Sequence, residues 1–537
     1  MQTDPWTSGV AKREFKNFLR EKYGSDEKLA RAWAMPGATI DGSVPPSGDE
    51  INPDREFVSI GPSPASDFRE FSSKAVARMN SAFRAAIKRG APRLLAGGYS
   101  CAGALDSSDS RGRCNLAMMM KDPNTDFIIW LPGYSRRRDE ISVPLGLGAF
   151  NGSMVLNRKL MIAEMDVRYP YGKYLQSGIY KSDSWQDNHN DGTFRNFLDY
   201  FGAAAFAWGG AFHAYPLANN WYDYPEAMAA WRRVVDIANM AKARKYGPNR
   251  IAAIFDERSV DFASWKVFSD AWMRPPVRNL QVADAMWRVG VRFDQYEISD
   301  LMGEDFAAVA PKVILINDAS TLSASDIASV RRRYCRDGRV ILWVGNPGFH
   351  SGDGMDRISQ AFGLGISTNG MDKPICAADA KDALCRSMKG FWNETSTGLV
   401  RRFAHSYQFE CMNGWKRLAN FAGTDVCAAA VRRAGGFTEI IVGSPGSVTP
   451  QFLRNACREA GFVPSLESDD FYIEGSGLIV VGGAVRSGVR RLRLPEGVEK
   501  VECLSGQTVR EVSSREIEID LECGKVAIFT VKNNDKE

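Results

Sequence analysis

A repeated alternation of short apolar segments with amphipathic helical segments constrains the fold of this chain more than any other feature. Four apolar segments before residue 245 predict β-strands: RLLAGGYS, DFIIWLP, KLMIAEMD and AAFAWGG. Helical periodicity lies between them, as in the segment TFRNFLDYFG and in a longer helix from about Pro225 to Ala243. Strands that alternate with helices are typical of parallel sheets, whose connections need a crossover. We therefore predict an α/β fold with four parallel strands in this region.

A second α/β series follows, and the chain then changes to a pattern of short strands. The segments RIAAIFD, KVILIND, RVILWVG and FTEIIVGS, separated by helices, predict a doubly wound flavodoxin-like domain that ends near residue 465. From Phe471 the segments GLIVVGG, VRRLRLP, VEKVECL, EIEIDLE and KVAIFTV predict a small antiparallel β-domain. Because 537 residues exceed the usual size of one core, we predict three domains, at residues 1–247, 248–465 and 466–537.

Composition and charge argue against several functional classes. Lys and Arg number 68 and Asp and Glu 64, so the net charge of +4 indicates no nucleic-acid partner. The ten cysteines form no CxxC pair, and none of the four histidines lies at metal-ligand spacing from another, so we expect neither a metal nor a cofactor. The longest apolar stretch, YFGAAAFAWGGAF, is too short and glycine-rich to span a membrane. The first twenty residues are charged rather than signal-like, which favours the cytoplasm, but localisation stays open because Met1 need not be the natural start.

The strand predicted at KLMIAEMD ends in charged residues. Glu164, Asp166 and Arg168 occupy alternate positions and therefore lie on one side of an extended chain. Burying unpaired carboxylates on that side would be costly. We therefore predict that this side of the strand faces a charged partner or a cleft.

Several segments carry a resemblance to a known enzyme family. They are FKNFLREKYGSDEKLARAWAMPGATI, TDFIIWLPGYSRR, GSMVLNRKLMIAEMD, and FAWGG followed by NWYDYPE. In order and spacing they resemble glycoside hydrolase family 42, the β-galactosidase-like enzymes, whose patterns include FRxWLRxKYG, DFxxSPxSYxxR, DSxxLxGKLWxxExDxR and GWYDDP. The middle and tail of the chain resemble that family's trimerisation domain and small C-terminal β-domain. The resemblance thus covers nearly the whole chain.

The resemblance implies a fold and a catalytic residue. Residues 1–247 would be strands five to eight of a (β/α)8 barrel, whose active site lies at the C-terminal strand ends. Glu164 then stands at the position of the family's catalytic nucleophile, at the end of strand seven. A carboxylate there can attack an anomeric carbon and form a covalent glycosyl-enzyme. The implied substrate is a carbohydrate, a β-galactoside or a related glycoside, and the implied assembly is a homo-oligomer, by resemblance a trimer.

Seven further residues are candidates for the site, four by the resemblance and three by their own chemistry. Asp166 and Arg168 match the family's DxR, and either they pair to fix the loop and keep Glu164 ionised or they form a structural ion pair outside the sugar pocket. Tyr134 and Arg137 match the family's SYxxR, which implies contact with the nucleophile or the sugar. Trp208, His213 and Trp221 are substrate-binding candidates by the chemistry of their side chains. A pyranose can stack on either tryptophan, although packing inside the barrel explains both equally well. His213 lies just past the predicted fourth strand and can donate to a hydroxyl.

The chain also departs from the family's pattern. The family's GKLW is RKLM here and its SPxSY is LPGYS, so substrate specificity cannot be carried over. The family's acid/base glutamate belongs to strand four, upstream of the helix that begins here about ten residues after Met1, and the first ten residues contain no Glu. On this interpretation the chain is the truncated C-terminal part of a retaining glycosidase and is inactive alone, or nearly so. The alternative is a noncatalytic carbohydrate-binding or assembly protein derived from such an enzyme.

A glutamine amidotransferase activity of the middle domain is a further hypothesis, because its order of strands and helices is compatible with the class I fold. That chemistry needs a cysteine at a tight strand-to-helix turn. The turn after RVILWV reads GNPGF and contains no cysteine. We therefore expect this domain to serve in subunit contact, by analogy with the family.

Overall fold

The computed structural model describes residues 8–51, 53, 57–100, 115–130, 150–165, 191–214, 225–241, 250–263, 277–369, 375–377, 381–390, 406–483 and 486–533. Helices α1 to α15 are Gly9–Tyr23, Asp26–Ala32, Gly48–Ile51, Pro64–Gly90, Leu116–Lys121, Asn151–Leu156, Asp191–Ala207, Pro225–Met240, Val277–Trp287, Ile298–Leu301, Phe306–Val309, Ala324–Tyr334, Met355–Phe362, Ala383–Arg386 and Pro450–Glu459. Among the residues described, two 3₁₀ helices span Glu257–Phe262 and Pro445–Ser447. Within the described ranges, no helix combines the length and apolar character needed to cross a membrane.

Strands β1 to β22 make up four sheets. They are Gly97–Ser100, Phe127–Trp130, Leu160–Met165, Ala211–Ala214, Ile251–Phe255, Phe293–Glu297, Val313–Asn317, Val340–Val344, Gly365–Asn369, Ile375–Ala377, Lys389–Gly390, Ser406–Glu410, Lys416–Phe421, Cys427–Ala434, Phe437–Val442, Phe471–Gly475, Leu478–Gly482, Gly488–Arg493, Val498–Cys503, Val509–Ser513, Glu516–Leu521 and Val526–Asn533.

The first sheet contains four parallel strands, β1 to β4, which lie side by side in chain order. This confirms the predicted parallel arrangement, and the first three strands fall within the predicted segments. The predicted position of the fourth strand is wrong, because most of AAFAWGG belongs to α7, which runs to Ala207, and β4 begins at Ala211. Alanine is the strongest helix former, and Gly209, with φ of +77°, allows the chain to leave the helix. His213 therefore lies within β4 rather than beyond it.

The second sheet has a parallel centre with an antiparallel extension. Its five parallel strands lie in the order β6-β5-β7-β8-β15, and the four predicted segments correspond to β5, β7, β8 and β15. Strands β14, β13, β10 and β11 extend the sheet beyond β15 in antiparallel fashion, and β12 pairs with both β14 and β9. Neither β6 nor this extension is predicted from the sequence.

Strand β6 is hidden in the sequence because its residues, FDQYE, are mostly polar, yet all five are buried. Helix α6, which precedes β3, supplies partners for several of their polar groups. The Asn151 side chain accepts a hydrogen bond from the backbone N–H of Gln295 at 2.7 Å and donates one to Asp294 Oδ1 at 3.2 Å. The Ser153 hydroxyl accepts a hydrogen bond from the backbone N–H of Glu297 at 2.8 Å. Helix α6 therefore covers this edge strand and satisfies polar groups whose burial would otherwise be costly.

The C-terminal region forms two antiparallel sheets, in the orders β16-β17-β22-β19 and β18-β21-β20, which confirms the predicted change to antiparallel structure. It packs closely on α7, since a Cβ at Gly475 of β16 would overlap the carbonyl oxygen of Ala207. One hydrophobic cluster runs through all three regions, from Trp208 through Trp287 to Ile528. The three predicted domain ranges therefore share a core.

Candidate active site

Glu164 lies near the C-terminal end of β3, and the parallel register with β4 places it directly beside His213. His213 Nε2 is 3.3 Å from Glu164 Oε2. The carboxylate side chain is 5% exposed and the imidazole 32%. A protonated imidazole at this distance attracts the carboxylate. The pair therefore joins a buried carboxylate to a partner that solvent can reach.

The two faces of the first sheet have different surroundings. Trp130 and Phe212 flank β3 in one cross-strand row, and their rings pack on Phe201 of α7 at 5.0 and 5.4 Å. That row therefore faces the helices. Because successive residues of a strand point to opposite faces, Glu164 and His213 lie on the face away from α7.

The face that carries Glu164 is apolar and incompletely covered. Tyr99 of β1 is 43% exposed and Leu160 of β3 is 40% exposed. Phe127 and Ile129 of β2 are half-buried, whereas the alternate residues of that strand, which face the helices, are buried. The carboxylate and the imidazole thus stand at one edge of an accessible apolar sheet face.

The other predicted site residues divide into two groups. Tyr134, Arg137, Asp166, Arg168 and Trp221 lie outside the described residues. Trp208, which follows α7, is 2% exposed, and its ring lies 4.9 Å from that of Trp287 and 6.1 Å from that of Phe293. These contacts join α7 to the middle of the chain and favour the packing alternative for Trp208. Within the part that the structure describes, Glu164 and His213 are the predicted residues that come together.

A second group of buried acidic residues lies at the C-terminal ends of β5 and β6. Glu257 accepts hydrogen bonds from the backbone N–H groups of Leu116 and Ala117, the first residues of α5, at 3.0 and 3.1 Å. Burial and the nearby Glu297 raise the pKa of Glu257, and burial also raises the pKa of Glu297. Burial raises the pKa of Asp261 to about 7. The group therefore links α5, in the first predicted domain, to the second sheet through carboxyls with raised pKa values.

Sequence reasoning missed this acidic group. The available signal was the position of Glu257 just after β5 and of Glu297 at the end of β6, where α/β folds carry functional groups. Within the described ranges, no group of three His, Cys, Asp or Glu residues is arranged to hold a metal ion.

Comparison with solved structures identifies the fold. A β-galactosidase from Bacillus circulans sp. alkalophilus matches with a TM-score of 0.64 at 14% identity, over 98% of this chain and 77% of that one. A catalytic mutant of a GH42 β-galactosidase from G. stearothermophilus matches with a TM-score of 0.60 at 11% identity, over 98% of this chain and 76% of that one. The chain has the fold of glycoside hydrolase family 42. A cold-adapted β-galactosidase from Rahnella sp. R3 gives a TM-score of 0.61 at 11% identity, over 97% and 76% of the two chains.

The family 42 resemblance is thus confirmed at the level of the fold, and the low identity agrees with a divergent member. No protein-family model matches the sequence, and no curated protein matches it. The alignments leave part of each family 42 structure unmatched, since they cover 76–77% of those chains.

Proposed function

We propose that this chain carries the nucleophile half of the active site of a retaining glycoside hydrolase that acts on β-galactosides or related glycosides. The observation that carries the proposal is the position of Glu164, buried near the C-terminal end of β3 and 3.3 Å from His213. Barrel enzymes hold their catalytic groups at C-terminal strand ends. The resemblance in sequence and the position in the sheet both support Glu164, and the neighbours in structure are β-galactosidases.

In the proposed reaction, Glu164 attacks the anomeric carbon, the bond to the leaving group breaks, and a covalent glycosyl-enzyme forms. Water then hydrolyses this intermediate, so the configuration at the anomeric carbon is retained. His213 is a positioning residue, because its Nε2 lies 3.3 Å from Oε2 of Glu164. Its partly exposed ring leaves room for a second contact, with a sugar hydroxyl.

We further propose that β1 to β4 are strands five to eight of a (β/α)8 barrel and that the middle sheet is flavodoxin-like. Four adjacent parallel strands with helices on one face fit half of a barrel. The exposed apolar residues on the other face, such as Tyr99 and Leu160, fit an interior that a second half would fill. The order β6-β5-β7-β8-β15 corresponds to 2-1-3-4-5, the flavodoxin order. By analogy with the family this middle region makes the subunit contacts of a homo-oligomer, a trimer, which sedimentation would test.

The proton donor is proposed to lie on a half-barrel that this sequence does not include. The resemblance places the acid/base glutamate upstream, and the family 42 structures extend beyond the part that aligns. In retaining enzymes the two carboxyl groups lie about 5–5.5 Å apart. General acid catalysis contributes roughly 10²–10⁴ in rate. The chain by itself should therefore be nearly inactive on glycosides whose leaving group needs protonation.

An activated fluorosugar tests the nucleophile without the proton donor. A dinitrophenyl β-galactoside with fluorine beside the anomeric carbon has a leaving group that departs unprotonated, and the fluorine slows hydrolysis of the glycosyl-enzyme. We expect peptide mass spectrometry to find the label on Glu164, in this chain or in the reading frame extended upstream. Glu164→Gln should not be labelled. The matched control is Glu226→Gln, which changes an exposed carboxylate in the first turn of α8 and should be labelled like wild type.

Two outcomes would contradict the proposal. A label on another carboxylate would assign the nucleophile elsewhere. No label in the extended protein, together with retained galactose binding, would favour the noncatalytic carbohydrate-binding alternative. The nucleotide sequence upstream of Met1 tests the missing half, because an in-frame half-barrel with a glutamate after its last strand supports the acid/base assignment.

A further inference from the structure

Two cysteines lie in contact in the antiparallel extension of the middle sheet. Cys411 directly follows β12, and Cys427 is the first residue of β14, where the register pairs it with Phe409 of β12. The two Sγ atoms are 3.9 Å apart. Both are free thiols. The fold thus brings two reduced sulfurs together from positions 16 residues apart in the chain.

The two thiols differ in burial and in acidity. Cys411 is partly exposed, whereas Cys427 is 2% exposed. A hydrogen bond from the Cys427 thiol, with the charge of Arg417, lowers the pKa of Cys411. The same hydrogen bond and burial raise the pKa of Cys427. The reactive thiolate is therefore favoured at the sulfur that solvent can reach.

We propose that Cys411 and Cys427 form a reversible redox site, at which a hydroperoxide converts the two thiols into an intramolecular disulfide. Nothing in this inference depends on the proposed glycosidase function. The structure supplies a nucleophilic sulfur, Cys411, and a resolving sulfur, Cys427, already in contact.

The oxidation proceeds in two balanced steps. The Cys411 thiolate attacks one peroxide oxygen, the O–O bond breaks, and the other oxygen takes a proton from solvent and leaves as water from hydrogen peroxide or as an alcohol from an organic hydroperoxide, so that Cys411 becomes a sulfenic acid. The Cys427 sulfur then attacks the Cys411 sulfur, and hydroxide leaves with the Cys427 proton as water. Two electrons pass from the sulfurs to the peroxide. A dithiol reverses the reaction by thiol–disulfide exchange.

The backbone near Cys411 permits the closure. A disulfide needs its sulfurs about 2 Å apart, so the two sulfurs must approach each other by about 2 Å. Cys411 lies outside the regular strand and precedes a turn with positive φ at Asn413 (51°) and Gly414 (85°). Cys427, in contrast, is held within β14. Cys411 and the turn after it therefore make most of the movement. The disulfide would link the end of β12 to β14.

Peptide mapping of the full wild-type chain tests the proposal. The protein is treated with one equivalent of hydrogen peroxide, the remaining thiols are alkylated, and the peptides are analysed by mass spectrometry. We expect peptides linked through Cys411 and Cys427, the loss of two thiols per chain, and recovery of both after dithiothreitol. Before oxidation, at neutral pH, Cys411 should be alkylated at least about tenfold faster than Cys335. Cys335 is also partly exposed, but burial raises its pKa to about 12.

Two variants separate the roles of the sulfurs. Cys427→Ser removes the resolving sulfur and should accumulate Cys411 sulfenic acid, which dimedone traps. Cys523→Ser removes an exposed cysteine elsewhere and should form the disulfide like wild type. The proposal is overturned if wild type yields no linked peptide while its exposed thiols are oxidised, or if Cys411 reacts no faster than Cys335. Because both of these measurements use the wild-type chain, they remain decisive even where a variant fails to fold.

Discussion

Replacing Trp208 with alanine separates the two interpretations of this residue, packing and sugar stacking. The indole is 2% exposed and lies against Trp287 and Phe293 at ring distances of 4.9 and 6.1 Å. A buried aromatic of this size removes about 200 Å² from water, which at about 25 cal/mol per Å² corresponds to about 5 kcal/mol. Alanine keeps part of that burial but leaves a cavity, so we expect Trp208→Ala to lose about 3–5 kcal/mol of unfolding free energy.

Urea unfolding measures this loss. The unfolding is followed by circular dichroism rather than by fluorescence, because the substitution removes a fluorophore. Besides the cluster that joins the three regions, the described residues form three further hydrophobic clusters. Such a chain does not guarantee a two-state transition, so the quantity to compare is the midpoint of the observed transition. We expect a clearly lower midpoint for Trp208→Ala. Trp208→Phe is the matched control, since it keeps a ring against Trp287 and should give an intermediate midpoint.

An unchanged midpoint for Trp208→Ala would refute the packing argument. If the same variant also bound galactosides more weakly, that result would support the sugar-stacking role of Trp208. Trp221→Ala is the companion measurement, because a stacking role for Trp221 predicts weaker sugar binding.

Three further predictions concern the proposed site and the acidic group. In a protein extended upstream by the other half of the barrel, Glu164→Gln should lower the rate of hydrolysis of an aryl β-galactoside by several powers of ten. Glu164→Gly with added azide should give the inverted glycosyl azide. Near-normal turnover of Glu164→Gln would exclude Glu164 as nucleophile. His213→Asn should lower kcat by about 10–100-fold, the worth of one hydrogen bond to a charged group, and alter the pH–rate profile; an unchanged profile would count against contact with Glu164 during turnover. Stability should fall as pH rises through about 7, because carboxyls with raised pKa values, such as Asp261 and Glu257, stabilise the fold while protonated and lose that contribution on ionising. Glu257→Gln should flatten this dependence in thermal unfolding.

Strands that pack inside a sheet were predictable from the sequence, because they appear as continuous apolar runs. VILIN and VILWV, which become β7 and β8, are buried along their whole length. The strand FDQYE was not predictable, because its polar residues are buried against partners that only the tertiary fold supplies. Asn151, 144 residues before Gln295, is one such partner. Local pattern contains no information on a hydrogen bond across that separation.

The candidate site was predictable in part. Glu164 follows from the resemblance and from the charged end of an apolar strand. Its contact with His213 was missed, because the alanine-rich run before Trp208 resembles a buried strand although it is the last part of α7. Placing the fourth strand there puts His213 beyond the sheet instead of in register with Glu164. An error of a few residues in one element therefore hid the contact that gives the site its geometry.

The position of Glu164 depends on a region that contributes no proposed catalytic residue. Helix α6 ends at Leu156 and β3 begins at Leu160, so the strand that carries Glu164 starts directly after a helix anchored on β6. Helix α6 packs tightly on β6, because a Cβ at Gly152 would overlap the Tyr296 ring. A displacement of β6 therefore moves α6, and with it the start of β3. It follows that a loss of activity caused by a substitution in β6 would not be evidence that β6 contacts the substrate.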